Sequence, residues 1–191
     1  MMEPERQFQS KGFQMRSCFL ATVAFVLLAG AGQTLAQQVT KESVPGITNL
    51  ARLETTIACA GAITADAVPA IKKMGFVSII NLRLATETGA EVEKEEAAAK
   101  AVGLRYFHVP FNGTPDPDAA KHFLDAITTA GAEPAFVHCA GGNRAATMWL
   151  IKRLAVDHWE TDRAVAEASA LGQTNVTLRQ FAIDYAQSHR R

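Results

Sequence analysis

Short continuous apolar runs alternate along the chain with longer segments in which apolar positions recur every three or four residues. The runs are Thr55 to Ala60, Phe76 to Leu82, Leu104 to Phe111 and Ala135 to Val137. Phe76 to Leu82 is β-branched and aromatic without strict alternation, the pattern of a strand buried on both faces. The intervening segments carry helix signals. Asp66 is placed to cap a helix with Pro69 at its third position, Val68, Ile71 and Met74 inward and Gly75 as its end. Glu91 to Val102 reads as a charged outer helix with an Ala97-Ala98 face and Gly103 as its stop, and no chemistry is assigned to it. Asp116-Pro117 reads as an N-cap and first helical residue ahead of Ala120, Phe123, Leu124 and Ile127. Beyond His138, the residues Ala146, Met148, Trp149, Leu150, Ile151 and Leu154 are apolar nearly all round, which predicts a buried helix. Trp159 and Thr161 open another helix ending at Gly172, and Asn175 caps a last one with Leu178, Phe181, Ala182 and Tyr185 inward. Strand, helix and strand in succession argue for crossover connections. The expectation is an α/β domain over residues 55–188, with a central, mostly parallel sheet of four to five strands flanked by helices.

The N-terminal residues follow another pattern. Arg6, Lys11 and Arg16 precede an apolar run from Cys18 to Ala31, and Thr34-Leu35-Ala36 supplies small residues where a signal peptidase reads. The run is short for a membrane span. Residues 1–36 are therefore expected to be a signal peptide, with cleavage after Ala36 and a periplasmic or secreted location; the alternative is an uncleaved anchor. Residues 37–54 are polar, contain Pro45-Gly46, and read as an N-terminal leader or an edge element.

Composition narrows the function. The whole chain balances 19 basic against 19 acidic side chains, and the 155 residues after Ala36 hold 16 against 17. That balance leaves no electrostatic footprint for nucleic acid or for an anionic membrane surface. No His, Cys or carboxylate group has metal-ligand spacing, and no phosphate-binding Gly-x-x-x-x-Gly-Lys occurs, so no metal and no cofactor is expected.

The candidate chemistry lies at the end of the fourth run, in His138-Cys139-Ala140-Gly141-Gly142-Asn143-Arg144. A buried strand, a glycine-rich loop and a helix in sequence aim loop N–H groups at a helix N-terminus, where donors and dipole together favour an anion. A helix N-terminus and a nearby cation also favour the thiolate form of a cysteine such as Cys139. Arg144 offers a planar fork matched to two oxygens of an oxyanion. The backbone of Ala140, Gly141, Gly142 and Asn143, with Arg144, is the expected phosphate cradle.

This loop resembles that of the cysteine-dependent phosphatases of the protein tyrosine and dual-specificity type, although four rather than five residues separate Cys139 from Arg144. The shorter loop is similar to the bacterial branch called the beta-lactamase hydrolase-like phosphatase domain. It also matches the Cys-x-x-Gly-x-Arg loop of many rhodanese sulfurtransferases. Upstream, Gly75 to Arg83 with its Asn81-Leu82-Arg83 ending, the acidic helix, and Gly103 to Pro110 resemble the order found in the phosphatase branch.

The resemblance implies that Cys139 attacks phosphorus, that Arg144 and the loop stabilise the transition state, and that an aspartic acid on a neighbouring loop protonates the leaving oxygen. Where that Asp usually stands, this chain has Asn112-Gly113, so Asp116 becomes the candidate acid, with Asp118 and His108 behind it. Arg83 and Glu87 stand at the strand end where either substrate contact or a brace for the loop is expected. Ala145 replaces the Ser or Thr that the phosphatases carry after the arginine. His138 is expected to hydrogen-bond backbone and set the loop. Cys59 reads as a small buried hydrophobe, or else as a redox partner of Cys139. Three functions remain open: a phosphatase acting on a phosphorylated protein or small molecule, a sulfurtransferase carrying a persulfide on Cys139, and a non-catalytic oxyanion-binding protein.

Overall fold

The computed structural model describes residues 1–2, 38–54 and 56–189. The expected signal peptide therefore lies almost wholly outside the described residues. The chain divides into two compact units, Met1–Leu35 and Ala36–Arg191, and the architecture below is that of the second.

Its centre is a six-stranded sheet in the order β1-β2-β3-β6-β4-β5. These are β1 (Thr40–Val44), β2 (Ile47–Leu53), β3 (Ile57–Ala60), β4 (Ser78–Asn81), β5 (Arg105–His108) and β6 (Ala135–His138). β3, β6, β4 and β5 run parallel, while β1 and β2 join as an antiparallel hairpin on the β3 edge. The sheet thus has the mostly parallel core expected, with six strands instead of four to five. The additional pair comes from residues 37–54, and it is no loose leader: Leu50 and Leu53 are buried in the core.

The helices are α1 (Val68–Lys73), α2 (Val92–Ala101), α3 (Pro117–Ile127), α4 (Asn143–Ala155), α5 (Thr161–Ala170) and α6 (Val176–His189). They divide the core by sheet face. One cluster joins Leu53, Cys59, Ile80 and Val137 to α3, α4, α5 and α6; the other joins Ala58, Ile79 and Phe136 to α1 and α2. Strand alternation explains the division, since neighbours such as Phe136 and Val137 face opposite sides.

Some local expectations shift. Asp66 does not cap α1. It lies within a 3₁₀ turn, Ala65–Ala67, that precedes the helix, and Ala67 takes the N-cap position with no side-chain cap bond. Asp116 does cap α3: its Oδ1 accepts from the N–H of Asp118 at 3.0 Å and of Ala119 at 3.1 Å. Asn175 Oδ1 likewise accepts from Leu178 N at 3.0 Å. On α2 the inward side is Glu95 and Ala99, both fully buried, and Ala97 is exposed, so this helix is not simply a solvated outer one.

α4 is the most enclosed helix described. Every residue from Ala145 to Leu154 is buried, including Lys152 and Arg153. Those two cations survive burial because each is paired: Lys152 with Glu133 and Asp157, and Arg153 with Asp157 and Glu167. Arg153 also lies over the Trp149 and Trp159 rings, 4.3 and 4.0 Å from their centroids. A helix gripped on all sides holds its N-terminus still, and that N-terminus is where the candidate loop sits.

Candidate active site

The site forms where the parallel strands end. Cys139 follows β6 directly, its N–H donating to Ala60 O at 3.1 Å, and Ala140 O accepts from Ala62 N at 3.0 Å. The loop is stitched to the chain after β3 by these bonds and by a bridge between Gly61 and Gly141. The close approach demands glycine at Gly61, where a Cβ would stand 3.0 Å from both Ala140 O and Thr48 O. Gly142 is the N-cap of α4 with φ +99°, a left-handed conformation that turns the loop into the helix and places no side chain over its first N–H groups.

Cys139 is 1% exposed, and its Sγ accepts from Gly142 N at 3.1 Å. Ala140 and Gly141 are exposed, so the loop opens to solvent above a buried sulfur. The Gly142 N–H and the positive end of the α4 dipole thus both face the sulfur. The Asn143 side chain is engaged elsewhere: with its amide oriented as its neighbours require, the oxygen accepts from Thr174 N at 3.1 Å, Thr174 Oγ1 at 2.6 Å and Asn175 N at 3.1 Å. Only its backbone is left for the cradle.

Arg144 lies on the first turn of α4, as expected, but its fork meets a carboxylate. Nη1 donates to Glu87 Oε1 at 2.6 Å and Nη2 to Glu87 Oε2 at 2.8 Å; Nη1 also reaches Phe111 O at 2.5 Å. The hydrogen bonds from Arg144 hold Glu87 down to about 2, against the opposing effect of burial. Burial works against the charge on Arg144, yet Glu87 and the nearby Cys139 sulfur outweigh it and raise its pKa. Glu87 is aimed by its own loop. Its Oε1 accepts from Leu84 N at 3.0 Å, and Arg83 closes the loop by donating to Gly89 O at 2.8 Å and Thr88 O at 2.6 Å. Arg83 is 4% exposed and braces the loop.

The loop after β5 reaches the site through Phe111 O and through Gly113, where a Cβ would meet Arg144 Cδ at 3.4 Å. Asp116 follows on that loop, partly buried, with both cap bonds falling on Oδ1. Asp118 is exposed on the first turn of α3. Among the described hydrogen bonds, none links Asp116 or Asp118 to Cys139 or Arg144. His108 Nε2 lies 2.8 Å from Arg83 O, a satisfied strand-end histidine. Ala145 is buried and brings no hydroxyl.

His138 does not hydrogen-bond backbone through its ring. It is fully buried on the sheet face opposite Cys139, and its Nε2 lies 3.2 Å from Oε2 of the equally buried Glu95. This is a charge contact without good hydrogen-bond alignment, since both ring nitrogens lack an aligned partner. Sequence reasoning missed Glu95, and it missed that Glu87 grips Arg144. Cys59 and Cys139 are both free and buried. Burial first, then repulsion from Cys139, pushes the Cys59 thiol well above its usual range, as suits a packing residue. Among the described residues no group of three or more His, Cys, Asp or Glu is placed to hold a metal ion.

The model of the beta-lactamase hydrolase-like protein, phosphatase-like domain, matches residues 49–156, which includes β3 to α4 and the whole loop. The chain belongs to this family. It is 29% identical over 102 residues to a beta-lactamase hydrolase-like protein of Agrobacterium fabrum, covering 52% of this chain and 24% of that one. It is 31% identical over 134 residues to the protein of the same description from Xylella fastidiosa, covering 66% and 31%. The chain thus matches a quarter to a third of the length of these curated relatives. The fold is shared with TpbA of P. aeruginosa at a TM-score of 0.57 and 19% identity, over 80% of this chain and 90% of that one. A second TpbA structure is described as a complex with pTyr. The phosphatase-like domain found in this family is therefore the fold that presents Cys139 and Arg144.

Proposed function

We propose that this phosphatase-like domain hydrolyses phosphomonoesters through a phosphocysteine on Cys139. The observation that carries the reading is the Cys139 sulfur, held at a strand end by the Gly142 N–H at 3.1 Å, beneath open loop N–H groups and beside Arg144. The thiolate attacks phosphorus, forming the S–P bond as the ester oxygen departs. Asp116 supplies the proton to that oxygen from its loop beside Arg144. Water then breaks the S–P bond, restoring the thiolate and releasing phosphate. Glu87 fixes the plane of the Arg144 fork before substrate arrives. The structure of TpbA with pTyr supports an aryl phosphate as first substrate. The N-terminal pattern supports action in an exported compartment on exported proteins or small phosphate esters, and fractionation that finds the protein in the cytosol would exclude this.

A second reading, persulfide transfer, is favoured by specific features. Only four residues separate Cys139 from Arg144, Asp116 Oδ1 is occupied as a helix cap, and Ala145 offers no hydroxyl to assist expulsion of the sulfur. Transfer of a sulfane sulfur from thiosulfate to Cys139, with sulfite leaving, needs no proton donor for the leaving group. Both readings use the same thiolate and anion cradle.

The test is hydrolysis of an aryl phosphate by the reduced full chain, run beside thiocyanate formation from thiosulfate and cyanide. Phosphate release that both Cys139→Ser and Arg144→Ala reduce by at least about a thousandfold establishes the first reading. Thiocyanate formation without phosphate release establishes the second. Phosphate binding with neither reaction makes the domain an oxyanion-binding protein.

A further inference from the structure

β2 carries a bulge beside the candidate loop. Val44 pairs with Ile47 and Glu42 with Leu50, so two steps along β1 are matched by three along β2. Asn49 lies within the bulge at φ +49°, a left-handed conformation that asparagine tolerates better than most residues. Bulges re-aim side chains, and this one turns Asn49 toward the loop, where its Nδ2 donates to Gly141 O at 3.2 Å. No other partner of Gly141 O is among the described hydrogen bonds.

Gly141 O and Gly142 N belong to one peptide unit, and that unit faces two ways. Its N–H points inward to Cys139 Sγ at 3.1 Å, and its carbonyl points outward to Asn49. Turning the unit over would change ψ of Gly141 and φ of Gly142, carrying the second from +99° into the ordinary negative region. Glycine accepts either arrangement, so the backbone itself does not choose between them. A Cβ at Gly141 would meet nothing within 4 Å, so no packed neighbour stands over this residue to block the turn. The orientation matters because the overturned unit would set a carbonyl oxygen where the loop is read to receive an oxyanion. The hydrogen bond to Sγ is lost once that sulfur bonds to phosphorus or to a second sulfur. The hydrogen bond from Asn49 remains through that step.

We propose that Asn49 is a positioning residue for the anion cradle: it fastens the Gly141 carbonyl outward and so keeps the Gly142 N–H turned in toward the arriving anion. The inference rests on the reading of the loop as an anion cradle, which phosphoryl and persulfide transfer share.

Amide hydrogen exchange in the reduced full chain tests the fastening without substrate. Asn49→Gly keeps the left-handed backbone and removes the side chain, while Asn49→Asp keeps the side chain's size and puts an oxygen where Nδ2 stands. In each variant the Gly142 amide is expected to exchange about fivefold faster than in the parent, the effect of losing one neutral hydrogen bond. The amides of Cys139 and Ala62, bonded to Ala60 O and Ala140 O, should keep their rates. An unchanged Gly142 rate in a folded variant overturns the proposal. So does an equal rise at all three amides, which would make Asn49 a general brace of the hairpin. Asn49→Asp decides alone if Asn49→Gly does not fold. Inorganic phosphate, titrated by calorimetry, examines the underlying reading separately. Binding to the parent that Asn49→Gly weakens about fivefold supports both, and equal affinity in the two overturns the proposal. A parent that binds no phosphate contradicts the cradle reading itself, and the exchange rates still decide whether Asn49 holds the peptide.

Discussion

Asp116 illustrates how one side chain can carry two roles that substitution separates. As the N-cap of α3 it is replaceable by Asn, which caps equally well, whereas Ala removes the cap at a cost of about 1 kcal/mol. The stability of Asp116→Asn, measured by urea unfolding, is therefore expected to match the parent, while Asp116→Ala unfolds at lower urea. If Asp116 is also the general acid, Asp116→Asn loses about a hundredfold in turnover of esters with poor leaving groups and little with activated aryl esters. Equal loss on both contradicts that role. Glu87 makes a prediction in pH. Its carboxyl is held at about 2 in the folded chain against 4.5 for a free glutamate, so its contribution is complete above about pH 4.5 and drains away as pH falls toward 2. Acid unfolding of Glu87→Gln is expected to lose the part of the slope that lies in this window.

At the scale of elements, apolar patterning located every parallel strand, the buried α4 and the capped α3 and α6, because burial and helix capping leave direct traces in residue type. It overstated strand length. Phe76 and Leu82 are buried yet lie outside β4, since an apolar run reports what is covered and not which N–H groups pair. Cys139 and Arg144 were legible because their chemistry is local, set by one loop and one helix start. Glu87 was legible as a substrate contact or brace at the strand end, but its grip on Arg144 was not, and Glu95 was missed altogether, because a carboxylate on a charged helix reads as solvated until the fold buries it beside His138. The loop itself makes the sharpest prediction at this scale. Gly142→Ala forces a side chain into a left-handed conformation at roughly 1–2 kcal/mol, and thermal unfolding should fall accordingly. Gly61→Ala has an ordinary backbone conformation but presses on Ala140 O, so it is expected to displace the loop and reduce activity more than stability.

For the whole molecule, the family match spans residues 49–156, yet the core does not stop at those limits. β1 and the first residues of β2 precede them, and α5 and α6 follow and pack on α4, with Ala164, Ala168, Leu178 and Ala182 buried against it. Removal of α6 would expose the flank of the helix that presents the loop. A chain ending at residue 172 is expected to unfold without a cooperative transition, as circular dichroism on heating would show, and a sharp transition would contradict this account of the support. The central claim, that the fold exists to hold one thiolate over an anion cradle, is tested most directly by catching the intermediate. Turnover of an aryl phosphate, quenched in acid within the first cycle and digested, is predicted to yield a phosphoryl adduct on the peptide carrying Cys139. Steady turnover with no adduct there, or with the adduct on another residue, would contradict the account.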